Sequence, residues 1–196
     1  MSPDFYKCLM SVASGMHDER LERVAFEGYF HSLVRRRQVI KLHLFEYLNK
    51  KLTNLSIEEK TPQSLGCLTW TELPVVVTEG ENVDEGVYVM TEWAKNPSKM
   101  DYWIPNTSLF ETVDAVAKWK EDGQVQFALL QLTKGETHKC DGDVITKLTK
   151  PFLDHGHSIR YIAIVPTEEI QKNLSPVVVK GVHADMLRVA YLEDSP

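Results

Sequence analysis

Cysteine is scarce in this sequence: Cys8, Cys67 and Cys140 stand far apart and are odd in number. That argues against a disulfide framework, and no CxxC or CxxH spacing supports a structural zinc site. Reduced thiols in a cytosolic or nuclear setting are the expectation. No apolar run approaches the ~18 residues that cross a bilayer, so no membrane partner is expected. Residues 1–12 show no basic segment ahead of an apolar one, so no secretory leader is expected either. A glycine-rich phosphate loop is missing, as is a GxSxG nucleophile turn. The histidines show no HExxH or HxH ligand spacing, and His155 and His157 flank Gly156 in what reads as a helix-ending turn. Internal repeats and low-complexity segments are also lacking.

What remains is a chain of 196 residues, 43% hydrophobic and 26% charged, which suits one domain with a real core and little disorder. The formal net charge of −6 counts against a general affinity for nucleic acid. The charge is uneven, however. Arg20 to Lys51 carries eight Lys/Arg against three Asp/Glu, so an acidic total can still hide a basic face.

Periodicity predicts a helical N-terminal part over 17–52, with Leu44, Phe45, Leu48 and Leu52 at helical spacing. Residues 54–66 read as a connector. A sheet core is expected over 73–192. Leu73–Thr78 and Val87–Trp93 have strand composition, with a turn at Glu79–Gly86 between them. Leu109–Trp119 alternates imperfectly, and Val125–Leu132 is the continuous apolar run of a strand covered on both faces. One main helix is predicted at 141–153, capped by Asp141 or Asp143, with Pro151 near its end. Ile159–Val165, Val177–Val182 and Leu187–Leu192 complete the strands. The order implies an α/β fold, a central mixed sheet flanked by helices, in a single domain over 1–196.

Three groups of residues carry chemical interest. Asp114 interrupts the apolar segment Phe110–Ala117, and Gln131 and Thr133 close the run from Val125. Buried polar groups are costly unless paired or functional. Adjacent strands would bring them to one sheet edge, with Lys134, His138 and Lys139 just beyond. A carboxylate, an amide oxygen and a lysine there suit a divalent cation and a phosphate. The plainer alternative is that Asp114 caps a turn and Gln131 is a satisfied buried amide. Glu27 lies between apolar neighbours, four residues from both Arg23 and His31. It either pairs with them or projects to the sheet edge. Arg35, Arg36, Arg37 and Lys41 form a basic cluster fit for phosphates, for nuclear import, or for a solvated helix face.

The stretch Phe26-Glu27-Gly28-Tyr29-Phe30-His31 resembles the FE-x-Y-x-H helix of the nuclease-like domain in Crinkler and retrotransposon-hot-spot effectors. Tyr102-Trp103-Ile104-Pro105-Asn106 followed by Phe110-Glu111-Thr112-Val113-Asp114-Ala115 is similar to that family's segment ending in xxDA. Leu130-Gln131-Leu132-Thr133, with His138 soon after, resembles its FQxT…H strand. Ile159-Arg160-Tyr161-Ile162-Ala163-Ile164-Val165-Pro166 is similar to its YRLIFVVP strand. These blocks occur in the family's order and span roughly residues 20–190.

That family is a branch of the PD-(D/E)xK superfamily, so the resemblance implies a restriction-endonuclease-like core. It implies Glu27, Asp114 and Gln131 around Mg²⁺ (or Mn²⁺), with Thr133 where the wider superfamily has lysine. Lys134 or Lys139 would then take the lysine's role. It also implies DNA as substrate. The setting would be a pathogen protein secreted and translocated into a host cell, acting in the host nucleus. Gln for a carboxylate and Thr for lysine depart from the superfamily pattern. They motivate the alternative: a degenerate nuclease fold that binds a host protein or DNA without cleaving. Arg35, Arg36, Arg37, Lys41 and Lys139 are the expected nucleic-acid contacts.

Overall fold

The computed structural model describes residues 1–46, 64–68, 75–78, 82–105, 112–121, 124–134, 137–179 and 186–193. The chain opens with two packed helices, α1 (Pro3–Gly15) and α2 (Glu19–Arg35). Ser2 caps α1 by accepting from Phe5 N at 3.2 Å, and Asp18 caps α2 by accepting from Leu21 N at 3.0 Å. The helices approach closely at Gly28, where a Cβ would stand 2.2 Å from the Tyr6 ring. Arg37, at φ 54°, turns the chain out of α2.

The helix expected over 17–52 therefore stops at Arg35, and Leu44 and Phe45 belong to a strand, β1 (Ile40–Glu46). The reason is a period of two. Ile40, Leu42 and Leu44 are buried while Lys41 is exposed and His43 half-buried between them. Residues 47–63, which hold Leu48, Leu52 and most of the expected connector, lie outside the described residues; β2 (Ser64–Leu68) follows. Then come β3 (Val75–Thr78) and α3 (Val83–Lys95). Val87–Trp93 is thus helical, not a strand. Its valines have strand propensity, but Gly86, Met90, Trp93 and Ala94 share one buried helical face, and Asn82 caps Glu85 N at 3.0 Å.

The remaining elements are β4 (Tyr102–Pro105), β5 (Ala115–Glu121), β6 (Gln124–Leu132), β7 (Thr137–Asp141) and α4 (Gly142–Asp154). After them come β8 (Ile159–Val165), α5 (Glu168–Asn173), β9 (Ser175–Val179) and β10 (Leu187–Leu192). Asp141 is the cap of α4, which runs through Pro151 to Asp154. The expected single main helix of the core is therefore accompanied by α3 and the short α5.

The architecture is α/β. Eight strands form one mixed sheet in the order β2-β1-β10-β8-β6-β5-β4-β3. β10, β8 and β6 run parallel, and β5 is antiparallel to β6. The six strands from β2 to β5 curl until Cys67 of β2 pairs with Lys120 of β5. β7 and β9 form a separate parallel pair. One face of the large sheet packs Leu42, Ala117, Leu130 and Ile162 against Phe26 and Phe30 of α2. The other packs Phe127, Tyr161 and Val189 against Trp93 of α3 and Phe152 of α4. Burial on both faces explains why the central strands read as continuous apolar runs. Among the described residues no helix is long and apolar enough to cross a membrane.

Candidate functional site

The site is built where α2 crosses the end of β6. Strand alternation fails at one residue there. Val113 packs with the α4 side of the sheet, Ala115 with the α2 side and Val116 with the α4 side again. Asp114 is the residue that absorbs the irregularity, in a bend just before β5. Its N–H donates to Leu130 O at 2.9 Å, and Leu132 N–H donates to its Oδ2 at 2.7 Å. The carboxylate thus closes the end of β6, much as the turn-capping alternative requires, while it also faces charges from elsewhere in the chain.

Those charges come from α2. Burial pushes Asp114 up from 3.8 to about 7. The Leu132 N–H and Arg23 pull it down, and the Glu27 carboxylate pushes it up. Glu27 is itself raised, by burial, against the pull of Arg23. Tyr102, fully buried on β4, is raised well above 10 by burial and by both carboxylates. Two acids distant along the chain are therefore neighbours in space, and the Glu27 charge makes Asp114 harder to ionise.

His31 completes the group. Its Nδ1 lies 3.3 Å from the Tyr102 hydroxyl, and its Nε2 lies 3.9 Å from Glu27 Oε1. Burial, then Arg35, lowers the imidazole to about 4. The ring is neutral near pH 7, so its contact with Glu27 is not an ion pair. Nε2 has no hydrogen-bond partner among the described residues. The sequence pattern does not single out Tyr102, because an aromatic in an apolar strand reads as core. The only signal was a hydroxyl that must be satisfied when buried.

The other expected site residues are placed differently. Gln131 is fully buried, but its Oε1 accepts from the Tyr161 hydroxyl, which also reaches Thr112 O at 3.1 Å. Tyr161 belongs to the cluster on the α4 side, whereas Leu130 and Leu132 face α2. The Gln131 amide is therefore turned away from Glu27 and Asp114, as period-two alternation demands. Thr133 is buried, and its N–H donates to Ile164 O at 3.0 Å. Lys134 Nζ meets Glu22 Oε2 at 2.6 Å, and this pairing lowers Glu22. The ammonium is held by an acid on α2.

The basic residues are dispersed. Arg35, Arg36 and Arg37 are exposed at the end of α2. Lys41 on β1 pairs with Glu193 at 3.0 Å. Lys139 and His138 lie in β7, on the two-stranded sheet.

Among the described residues no group of three or more His, Cys, Asp or Glu is arranged to hold a metal ion. Two neighbouring carboxylates nevertheless suit a Mg²⁺-like ion, which commonly takes one or two protein carboxylates and keeps several waters. A cation would offset the burial that raises both groups and the Glu27 repulsion that adds to it at Asp114. No protein-family model, curated protein or solved structure matches this chain.

Proposed function

We propose that Glu27 and Asp114 hold one divalent cation, Mg²⁺ or Mn²⁺, and that the chain is a metal-dependent DNA endonuclease on a restriction-endonuclease-like core. The observation that carries this reading is the convergence of the two acids beside Tyr102, where burial and repulsion by Glu27 raise Asp114 to about 7. Perturbed acids gathered from distant segments are a common mark of a site. The effector setting, with entry into a host cell and action in its nucleus, belongs to the same proposal and rests on the Crinkler resemblance alone.

The bound ion would polarise the scissile phosphate and lower the pKa of its water. The protein's own part is positional. Leu132 N–H holds Asp114 Oδ2 and so fixes the carboxylate plane, leaving Oδ1 for a ligand. Asp114 must shed its proton first, which sets a rise in activity through about pH 7. Arg23 keeps Glu27 from rising further. Lys134 is positioned through Glu22 on α2.

Cleavage of supercoiled plasmid in Mg²⁺ and Mn²⁺ tests the proposal. Wild type should nick the plasmid, and Asp114→Asn and Glu27→Gln should each lose roughly a hundredfold or more. Equal nicking by all three proteins would end it.

A second reading is favoured by two specific contacts. Gln131 is engaged by Tyr161 and Lys134 by Glu22, so a third ligand and a free lysine are both missing from the acid pair. On that reading the fold has lost catalysis and acts by binding a host protein or DNA. The discriminating result is a titration with Mg²⁺, Mn²⁺ and Ca²⁺ that gives neither heat nor a thermal shift.

A further inference from the structure

A cavity of about 350 Å³ opens at the carboxyl ends of β6 and β8, beside the acid pair but separate from it. The two strands are parallel neighbours, with Leu132 opposite Ile164. Lys134 follows β6, Pro166 follows β8, and Thr167 and Ile170 open α5. α1 forms the opposite wall with Lys7, Ser11 and Ser14. The volume lies at the low end of the ~300–1,000 Å³ typical of small-ligand sites.

The lining has a definite chemistry. Lys7 and Lys134 and the hydroxyl residues Ser11 and Thr167 line the cavity, with Met10, Pro166 and Ile170 as an apolar ledge. Lys134 gives a contact to Glu22, and an ammonium has three donors, so donors remain. Glu22 is also bonded by Ser14, which pins the acid and orients the lysine. The Lys7 ammonium lies over the Tyr29 ring, 5.5 Å from its centroid, an open contact that an approaching anion can share. Thr167 Oγ1 accepts from Ile170 N at 3.3 Å, so its own O–H can donate elsewhere. Cations and O–H donors around an apolar ledge match a dianionic phosphoryl group carried by a sugar or base.

We infer that this cavity is a phosphomonoester-binding site, formed by Lys7, Ser11, Lys134 and Thr167, which takes a terminal nucleotide phosphate. Its use as a grip on the end of a nucleic-acid strand rests on the nuclease reading. The binding itself does not.

The test is calorimetric titration in EDTA, so that the acid pair and its cation take no part and failure here is distinct from failure of the cleavage assay. Inorganic phosphate and a 5′-deoxynucleoside monophosphate should bind saturably, and the parent nucleoside should not. Lys7→Gln should weaken both phosphates roughly tenfold, and Ser11→Ala severalfold. Both residues are exposed, so these variants keep the fold where Lys134→Gln would release Glu22. Competition by a 5′-phosphorylated oligonucleotide identifies a strand end as the source. Binding of the free monophosphate alone identifies a soluble nucleotide. Either upholds the site. Absence of saturable binding at about 10 mM phosphate, equal affinity in Lys7→Gln, or equal binding of the unphosphorylated nucleoside overturns it.

Discussion

Replacing Asp114 by asparagine removes a proton-binding group and nearly keeps its shape. In the folded chain Asp114 titrates at about 7 against 3.8 ordinarily. A folded value above the unfolded one means that the native state keeps a proton which the unfolded chain has released. The stability this gives is complete below about pH 4 and is lost as pH climbs through about 7. At about 1.4 kcal/mol per pH unit the full loss is about 4.5 kcal/mol, and partial exposure reduces it to about 2–4 kcal/mol. Asparagine can still accept from Leu132 N–H and has nothing to ionise. The variant should therefore match wild type near pH 4 and exceed its stability by about 2–4 kcal/mol near pH 8 in EDTA. His31 acts in the opposite sense. Its value of about 4 lies below the unfolded 6.5, so its contribution is present above about 6.5 and lost toward 4. Asp114 is not among the causes of that lowering, so the His31 effect cancels in the difference between the two proteins. Urea unfolding across this pH range reads the difference, as a midpoint shift of roughly 1 M or more. A difference that stays flat from pH 4 to pH 8 would refute the burial and repulsion assigned to Asp114.

Two further outcomes follow from the same contacts. Mg²⁺ or Mn²⁺ should raise the melting temperature of wild type more at pH 8 than at pH 6, because the ion competes with the Asp114 proton, and should leave Asp114→Asn unchanged; differential scanning fluorimetry checks both. Gly28→Ala should cost about 1–3 kcal/mol by driving a methyl into the Tyr6 ring, and Tyr6→Ala in the same chain should remove most of that coupling in a double-mutant cycle.

The legible parts of the fold are those with one dominant signal. β6 and β8 are apolar runs with sharp ends, and α4 has both a cap and a helical stripe. The misread parts had two signals in competition. Ile40, Leu42 and Leu44 alternate, but the same leucines also fit helical spacing with Leu48 and Leu52 beyond them. In α3 the valines argue for a strand, while Gly86, Met90, Trp93 and Ala94 argue for a helix, and tertiary burial decided. For the site, Glu27 and Asp114 stood out because each is an acid among apolar neighbours. The direction of Gln131 depends on strand parity relative to the bend at Asp114, which no local pattern reveals. The grip of Glu22 on Lys134 joins segments far apart in the chain and has no local trace at all.

The placement of charge around the acid pair orders the events that a nuclease would need. Lys134 is neutralised by Glu22, and Lys41 by Glu193. Arg35, Arg36 and Arg37 are exposed at the end of α2, about 12 Å or more beyond Glu27 at 1.5 Å per residue. Arg23 is the cation coupled to both Glu27 and Asp114. Once Asp114 ionises, that edge of the sheet therefore carries more negative than positive charge, on a chain already at −6. A phosphodiester approaching it is repelled until the balance is reversed. A divalent cation is the simplest agent, because it adds two positive charges at the point of greatest repulsion, whereas a shifted lysine adds one and abandons its partner acid. The arrangement thus favours metal first and nucleic acid second.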